Sequence, residues 1–318
     1  MPPSSPAKSS RATRPGASPA FHIPASAVEA PRPAPGLYLV ATPIGNLADI
    51  TLRALATLAG ADYVLCEDTR VTAKLVDRYQ ISTTLKPYHD HNAAKVRPRI
   101  LDELSKGAAI ALVSDAGTPL VSDPGWKLVR EARSAGIAVT VIPGASAALA
   151  AVTMSGLPTD RFMFCGFLPP RSAARHTDLK QLVAIPATLV FYETAPRIAA
   201  TLADIAAVLG ERPTVVAREI TKLHEEVLSG TPTELAAAIA ARGGLKGELC
   251  LLVAPPETAP QPRDATAIDA ALRAALADSP ASQAAAAVAR RFGLPRQDVY
   301  RRAVALQRGD EPDQADHS

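Results

Sequence analysis

The 318-residue chain has three cysteines, Cys66, Cys165 and Cys250. Each lies in an apolar run, and no two are spaced as a metal knuckle or a redox pair, which excludes a zinc-ribbon or disulfide framework and fits a reducing compartment. Long hydrophobic runs are missing. No stretch approaches the roughly 18 uninterrupted apolar residues of a membrane span, and the N-terminus lacks the apolar segment of a secretory signal, so a cytoplasmic protein without membrane association is expected. Charge of one sign is also lacking: 34 basic residues face 31 acidic ones, a net +3. Any nucleic-acid surface must therefore be a local patch. Lysine is scarce, at 9 against 25 arginines, a bias that suits phosphate contacts and equally follows from a GC-rich genome. No G-x-G-x-x-G, Walker loop or G-x-S-x-G elbow occurs, so dinucleotide, nucleoside triphosphate and serine-hydrolase sites lack their usual anchors.

What is present is a composition of 47% hydrophobic and 20% charged residues, that of a soluble globular protein long enough for two cores. Residues 1–35, rich in Pro, Ser, Ala and Arg, read as a disordered tail. From Leu37 strands alternate with helices: Leu37–Thr42, Tyr63–Cys66, Leu85–Tyr88, Ala109–Val113 and Ala138–Ile142 are the strands. Regular alternation with short loops implies a mainly parallel sheet covered on both faces. Gly156-Leu157-Pro158 marks a junction, which bounds a first α/β domain at 36–157 and a second at 158–256. In the second, Ile198, Leu202, Ile205 and Leu209 form a helical apolar stripe. A Pro-rich linker, 257–266, leads to a helical module over 267–308, followed by a tail at 309–318. Residues 282–308 carry six arginines against one acid, and their helix, tight turn, helix pattern reads either as a helix-turn-helix unit holding RNA backbone or as a small solvated appendage.

Side chains suited to chemistry concentrate on loops that follow strands: 43–46, 67–70, 89–92, 114–125, 143–146, 192–197 and 218–222. In a parallel sheet such loops share one edge and can converge on one cleft. The densest is Ser114-Asp115-Ala116-Gly117-Thr118-Pro119-Leu120-Val121-Ser122-Asp123-Pro124-Gly125. It is either a ligand loop or an ordinary crossover turn, and Ser122 and Asp123 divide between substrate contact and capping of the helix from Trp126. His89, Asp90 and His91 crowd three ligand types into three residues, a poor geometry for one ion, and no metal is expected.

The strings LYLVATPIGNLADITLRAL (37–55), EDTR (67–70), HDHN (89–92), ALVSDAGTPLVSDPG (111–125), VIPGASA (141–147), GLPTDRFMFCGFLP (156–169), FYETAPRI (191–198) and REITKLHEE (218–226) closely resemble the ribosomal RNA small subunit methyltransferase I family, within the tetrapyrrole methylase superfamily. The likeness runs in order over about 36–256. It implies two α/β domains with a cofactor cleft between them, a C-terminal helical module, S-adenosyl-L-methionine as cofactor, a homodimer, and 2′-O-methylation of a cytidine ribose in the decoding region of bacterial 16S rRNA, free or in the small subunit. Carried over position by position, the resemblance places the cofactor on Ile44, Ser114, Asp115, Gly117, Thr118, Ser146, Ala147 and Tyr192. Thr42-Pro43-Ile44-Gly45-Asn46 replaces the superfamily's glycine-rich first loop, which weakens a porphyrin-substrate reading.

A ribose hydroxyl is a poor nucleophile at neutral pH, so a nearby base helps. Catalytic candidates are Glu67, Asp68, His89 and Glu193, with Asp90 and Glu219 behind them. Each has a structural alternative: Asp68 pairing with Arg70, Asp90 capping a helix, Glu193 binding a backbone amide. RNA phosphates are expected on Arg70, Arg197, Arg218, Lys222, Arg296, Arg301 and Arg302, with Arg171 as a further candidate. The rival functions are a tetrapyrrole methyltransferase, a noncatalytic RNA-binding protein of this fold, and a helix-turn-helix regulator.

Overall fold

The structure is a computed structural model that describes residues 30–256, 265–292, 294 and 296–308. The tail expected over 1–35 as far as residue 29, the linker over 257–264 and the tail at 309–318 lie outside the described residues. The chain divides into two compact units, one of residues up to Met154 with Ala217–Glu226, the other of Ser155–Val216 with the residues from Val227 onward.

The first unit holds β1 (Gly36–Val40), α1 (Leu52–Gly60), β2 (Tyr63–Cys66), α2 (Thr69–Arg78), β3 (Leu85–Pro87), α3 (Asp90–Ser105), β4 (Ala109–Leu112), α4 (Trp126–Ser134), β5 (Val139–Ile142) and α5 (Ala147–Met154). Its five strands run in the order β3-β2-β4-β1-β5, each parallel to its neighbours, as the alternation predicts. β2 and β4 are buried at every position because helices cover both faces. Leu37, Leu65, Ile110, Leu112, Leu128 and Tyr88 fill one side, and Val40, Leu58, Val64, Cys66 and Ala111 the other. Thr51 caps α1 through the Ala54 amide, and Asp68 caps α2 through the Arg70 amide. Asn92 bonds the His89 amide from the third position of α3, whose cap is His89, so that Asp90 is its first helical residue and not its cap; Pro98 lies inside it without ending it. Ala30–Pro35 run beside this sheet, with Arg32 paired to Asp62 at 2.7 Å.

In the second unit β6 (Phe162–Phe167), α6 (Ser172–Leu182), β7 (Thr188–Thr194), α7 (Ile198–Leu209), β8 (Thr214–Arg218), β9 (Glu226–Gly230), α8 (Pro232–Ala241) and β10 (Glu248–Val253) follow in turn. The sheet order is β6-β7-β10-β8-β9, with β6 parallel and β10 antiparallel to β7. The stripe Ile198, Leu202, Ile205 and Leu209 packs on Leu189, Phe191, Leu249 and Leu251 as its spacing requires. Helices α6 and α8 lack a clear apolar period, which is why the sequence pattern alone does not announce them. Three helices, α9 (Ala265–Asp278), α10 (Ala281–Phe292) and α11 (Arg296–Arg308), close the chain around Leu272, Ala285, Val288, Val299 and Ala303.

Candidate active site

Within the first unit, the loops after β1, β2, β4 and β5 are joined at the carboxyl edge of the sheet. Gly117 and Thr42 exchange two backbone hydrogen bonds, of 2.9 and 3.0 Å, tying the loop after β4 to that after β1. The Thr118 hydroxyl donates to the Ala145 carbonyl at 3.1 Å, which adds the loop after β5. Asp115 accepts from the Asp68 amide at 3.0 Å, which adds the end of β2. The predicted cofactor positions Ile44, Ser114, Asp115, Gly117, Thr118, Ser146 and Ala147 thus belong to one connected set of loops. Ser114 is buried and its hydroxyl lies 3.2 Å from the Ala116 and Gly117 carbonyls; Ser146 receives the Leu149 amide at the start of α5.

Gly117 has a left-handed φ of +78°, and a Cβ there would stand 3.2 Å from Ile44 Cγ2. The same loop holds two non-glycine residues in the left-handed region, Leu120 at φ +73° and Ser122 at φ +65°. Such residues cost about 1–3 kcal/mol each and persist only where the surroundings fix them. The Leu120 side chain packs with Leu112 over the α-carbon of Gly125, at φ +131°, so tightly that a Cβ there would meet Leu120 at 2.6 Å. Gly125 is also the N-cap of α4, with no side-chain cap bond, so neither Ser122 nor Asp123 caps that helix.

Glu67 and Asp123 line one recess with Tyr88, Leu112, Val113, Ser114, Pro119 and Pro124. Burial pushes the Glu67 carboxyl up, reinforced by Asp115 and Asp90. Burial and then the Glu67 carboxylate push Asp123 up to about 6, with the Ser114 hydroxyl working the other way. Asp68 behaves oppositely. Its side-chain bonds to Arg70, then the Arg70 amide, hold its carboxyl down at about 2, a poor base whose oxygens are engaged as a cap. His89 stands at the start of α3, near enough to Glu67 to oppose that rise. Sequence reasoning left Asp123 undecided; the signal for it was the Pro124-Gly125 turn, which reverses the chain behind it.

A further segment joins this edge. Asn46 donates its amide to the Thr221 hydroxyl at 3.2 Å, and the Lys222 stem lies where a Cβ on Gly45 would be. Glu219 and Thr221 are left-handed at φ +50° and +68°, while Lys222 pairs with Glu219 at 2.9 Å and Arg218 with Glu226 at 3.5 Å. Arg70 is exposed and pairs with Asp68.

In the second unit, Tyr192 on β7 packs edge-on against Phe164 and Phe167, at centroid distances of 4.8 and 5.6 Å. Beside it Glu193 is 2% exposed and fully engaged: the Thr194 amide and the Thr201 hydroxyl donate to it at 2.8 Å, and Arg197 Nε lies 3.2 Å away. This corrects the expectation of a base at Glu193, because a carboxylate so held anchors α7 rather than accepting a substrate proton. Arg197, expected on phosphate, instead gives its guanidinium to the Leu168 and Pro169 carbonyls. Arg302 likewise binds Asp269 and holds α11 to α9, whereas Arg296 and Arg301 are exposed on α11. Arg171 stands exposed at the start of α6. Among the described residues no group of three or more His, Cys, Asp or Glu is placed to hold a metal, and no helix is long and apolar enough to cross a membrane.

Residues 36–236 match the tetrapyrrole (corrin/porphyrin) methylases, and residues 262–307 match the RsmI C-terminal HTH domain. A curated relative from Mesorhizobium japonicum, named ribosomal RNA small subunit methyltransferase I, is 51% identical over 89% of this chain and 95% of its own length. Its namesake in Escherichia coli O157:H7 is 44% identical over 85% of this chain and 95% of its own. Among solved structures, diphthine synthase superposes with a TM-score of 0.55 at 16% identity over 69% of this chain and 89% of its own. The cobalt precorrin-4 methyltransferase CbiF does so with a TM-score of 0.53 at 18% identity, over 69% and 94% of the two chains. These two carry the fold alone. The sequence relatives and the two family matches establish that the chain belongs to the ribosomal RNA small subunit methyltransferase I family of the tetrapyrrole methylases.

Proposed function

We propose that the protein transfers the methyl group of S-adenosyl-L-methionine to the 2′-hydroxyl of a cytidine in the decoding region of 16S rRNA. The observation that carries this reading is the knot of four strand-end loops, in a chain whose sequence relatives are named for small-subunit rRNA methylation. The donor set suits this cofactor. Asp115 offers a carboxylate for hydroxyl or ammonium groups, and the absence of a side chain on Gly117 leaves the cradle beside Ile44 that a Cβ would fill. Ile44, Ser114, Asp115, Gly117, Thr118, Ser146 and Ala147 would hold the cofactor, and Tyr192 is the further contact that the family resemblance implies. When bound, it supplies an already activated methyl group.

The protein's own task is then to place the ribose hydroxyl in line and to take its proton. Glu67 is the base best suited to that task. It closes a buried strand, its carboxyl is raised toward neutrality, and Asp115 and Asp123 flank it. Asp68 and His89 shape the same floor. Arg70, Arg218 and Lys222 border it as phosphate contacts. The domain reading is 36–157, 158–256 and a helical RNA-holding module at 267–308, with residues 217–226 of the second domain packing as part of the first compact unit. In that module Arg290, Arg291, Arg296 and Arg301 present exposed charge. The active form is a cytoplasmic homodimer, supported by exposed Phe162, Met163 and Phe167 on the edge strand β6.

The test is methyl transfer from labelled cofactor to small subunits lacking the modification, followed by ribose-methylation mapping. Label on a decoding-region cytidine supports the reading. Transfer to porphyrinogens with none to rRNA would favour the tetrapyrrole alternative.

A further inference from the structure

Beyond Gly117, the loop after β4 has three further left-handed residues, Leu120, Ser122 and Gly125, and the residue this stretch carries into the recess is Asp123. Asp123 is not used as the cap of α4, which begins on the Gly125 backbone with no side-chain bond. The recess it enters is small, walled by Tyr88, Leu112, Val113, Ser114, Pro119 and Pro124, and it contains one other carboxyl, Glu67. The pairing of β2 with β4, Leu65 opposite Leu112, brings the ends of these strands side by side, so Glu67 enters from one strand and Asp123 from the loop that continues the other. Two carboxyls confined in one recess cannot both ionise cheaply.

Resting on the proposed methylation of a ribose hydroxyl, we propose that Asp123 is a positioning residue for Glu67: the two carboxyls share one proton, and this pair, rather than Glu67 alone, serves as the base. In the transfer, the ribose O–H bond breaks and its proton passes to the Glu67 carboxylate. The oxygen's electron pair forms the new bond to the methyl carbon as the sulfur–carbon bond breaks, its electrons remaining on sulfur. Like-charge repulsion makes the fully ionised pair a stronger base than an isolated carboxylate. The other groups around the pair are Asp68 at the end of β2, His89 and Asp90 after β3, and Ser114 and Asp115 after β4. The Tyr88 hydroxyl is bonded to Arg97. Among these described groups no basic side chain is placed on the Asp123 carboxyl, so its neutralisation falls to a proton.

The experiment has two readouts on the full-length protein. The first is titration of carboxyl carbon NMR signals without cofactor, comparing wild type with Glu67→Gln and Asp123→Asn. A shared proton gives a wild-type carboxyl that titrates near pH 6; either substitution shifts the remaining partner acidward by about one pH unit. The second is the pH dependence of single-turnover methyl transfer. Asp123→Asn is expected to move the acid limb downward by about one pH unit with cofactor affinity unchanged, which a purely structural role would not do. Independent titration of the two carboxyls overturns the proposal, as does an acid limb that stays in place. A wild-type protein that methylates no rRNA would instead defeat the functional reading, while the NMR titration still reports on the pair.

Discussion

Replacing Gly117 by alanine tests whether the knot of loops is built around a missing side chain. Two costs add. The left-handed backbone at φ +78° penalises any Cβ by about 1–2 kcal/mol. The new methyl also meets Ile44 Cγ2 at 3.2 Å, which requires Ile44 or the Thr42–Gly117 bridge to give by a few tenths of an ångström. Together these come to about 1–3 kcal/mol, equivalent to a fall in Tm of about 3–10 °C. Because Ile44 and Gly117 face the same cradle, the displacement should also weaken S-adenosyl-L-methionine by about tenfold, or about 1.4 kcal/mol. Gly136 supplies the control. It follows α4 at φ +72° with nothing within 4 Å of the position a Cβ would take, so Gly136→Ala carries the backbone cost without the crowding. Calorimetric titration with the cofactor and thermal melts of both variants separate the two effects. Wild-type affinity in Gly117→Ala, or an equal loss of affinity in Gly136→Ala, would refute the reasoning.

Asp123→Asn should stabilise the protein at neutral pH. A carboxyl raised to about 6 when folded favours the native state at low pH and loses that contribution as pH rises from its unfolded value near 4 through about 6. The full shift corresponds to about 3 kcal/mol, which partial solvent screening reduces to about 1 kcal/mol; chemical denaturation at pH 4 and pH 8 should show the gain at pH 8 alone. Glu193→Ala strips Thr194, Thr201 and Arg197 of their acceptor and should destabilise by about 3–5 kcal/mol, with Glu193→Gln recovering part of this in urea melts. A fully stable Glu193→Ala variant with impaired chemistry would restore Glu193 as a catalytic candidate. Arg296→Ala and Arg301→Ala should each flatten the salt dependence of rRNA binding by about 0.7–0.9 in log–log slope, whereas Arg302→Ala should act through the Asp269 pairing and lower the melting temperature.

That the strands of the first sheet are parallel was legible because Tyr63–Cys66 and Ala109–Leu112 are short apolar runs between helical stretches. The convergence of loops at the carboxyl edge follows from that parallelism, and with it the neighbourhood of Ile44, Asp115, Thr118 and Ser146. Partner choice by individual side chains was not legible. Glu193 and Arg197 look equally functional in sequence, and only burial and the nearby Thr201 hydroxyl show that they serve the fold. Asp123 stays open between substrate contact and helix cap in the sequence, because the positive φ of the non-glycine residues Leu120 and Ser122 gives no sequence warning. The packing of residues 219–222 on the loop after β1 joins positions about 175 apart, beyond the reach of any local pattern.

The central claim, transfer of a methyl group to a ribose hydroxyl of small-subunit rRNA, is tested most directly by incubating the purified protein with labelled S-adenosyl-L-methionine and undermodified small subunits, then locating the label. The account predicts label on the 2′-oxygen of a decoding-region cytidine, lost with Glu67→Gln while the cofactor still binds. Label on a base, or none on the RNA from an enzyme that binds the cofactor, would contradict it.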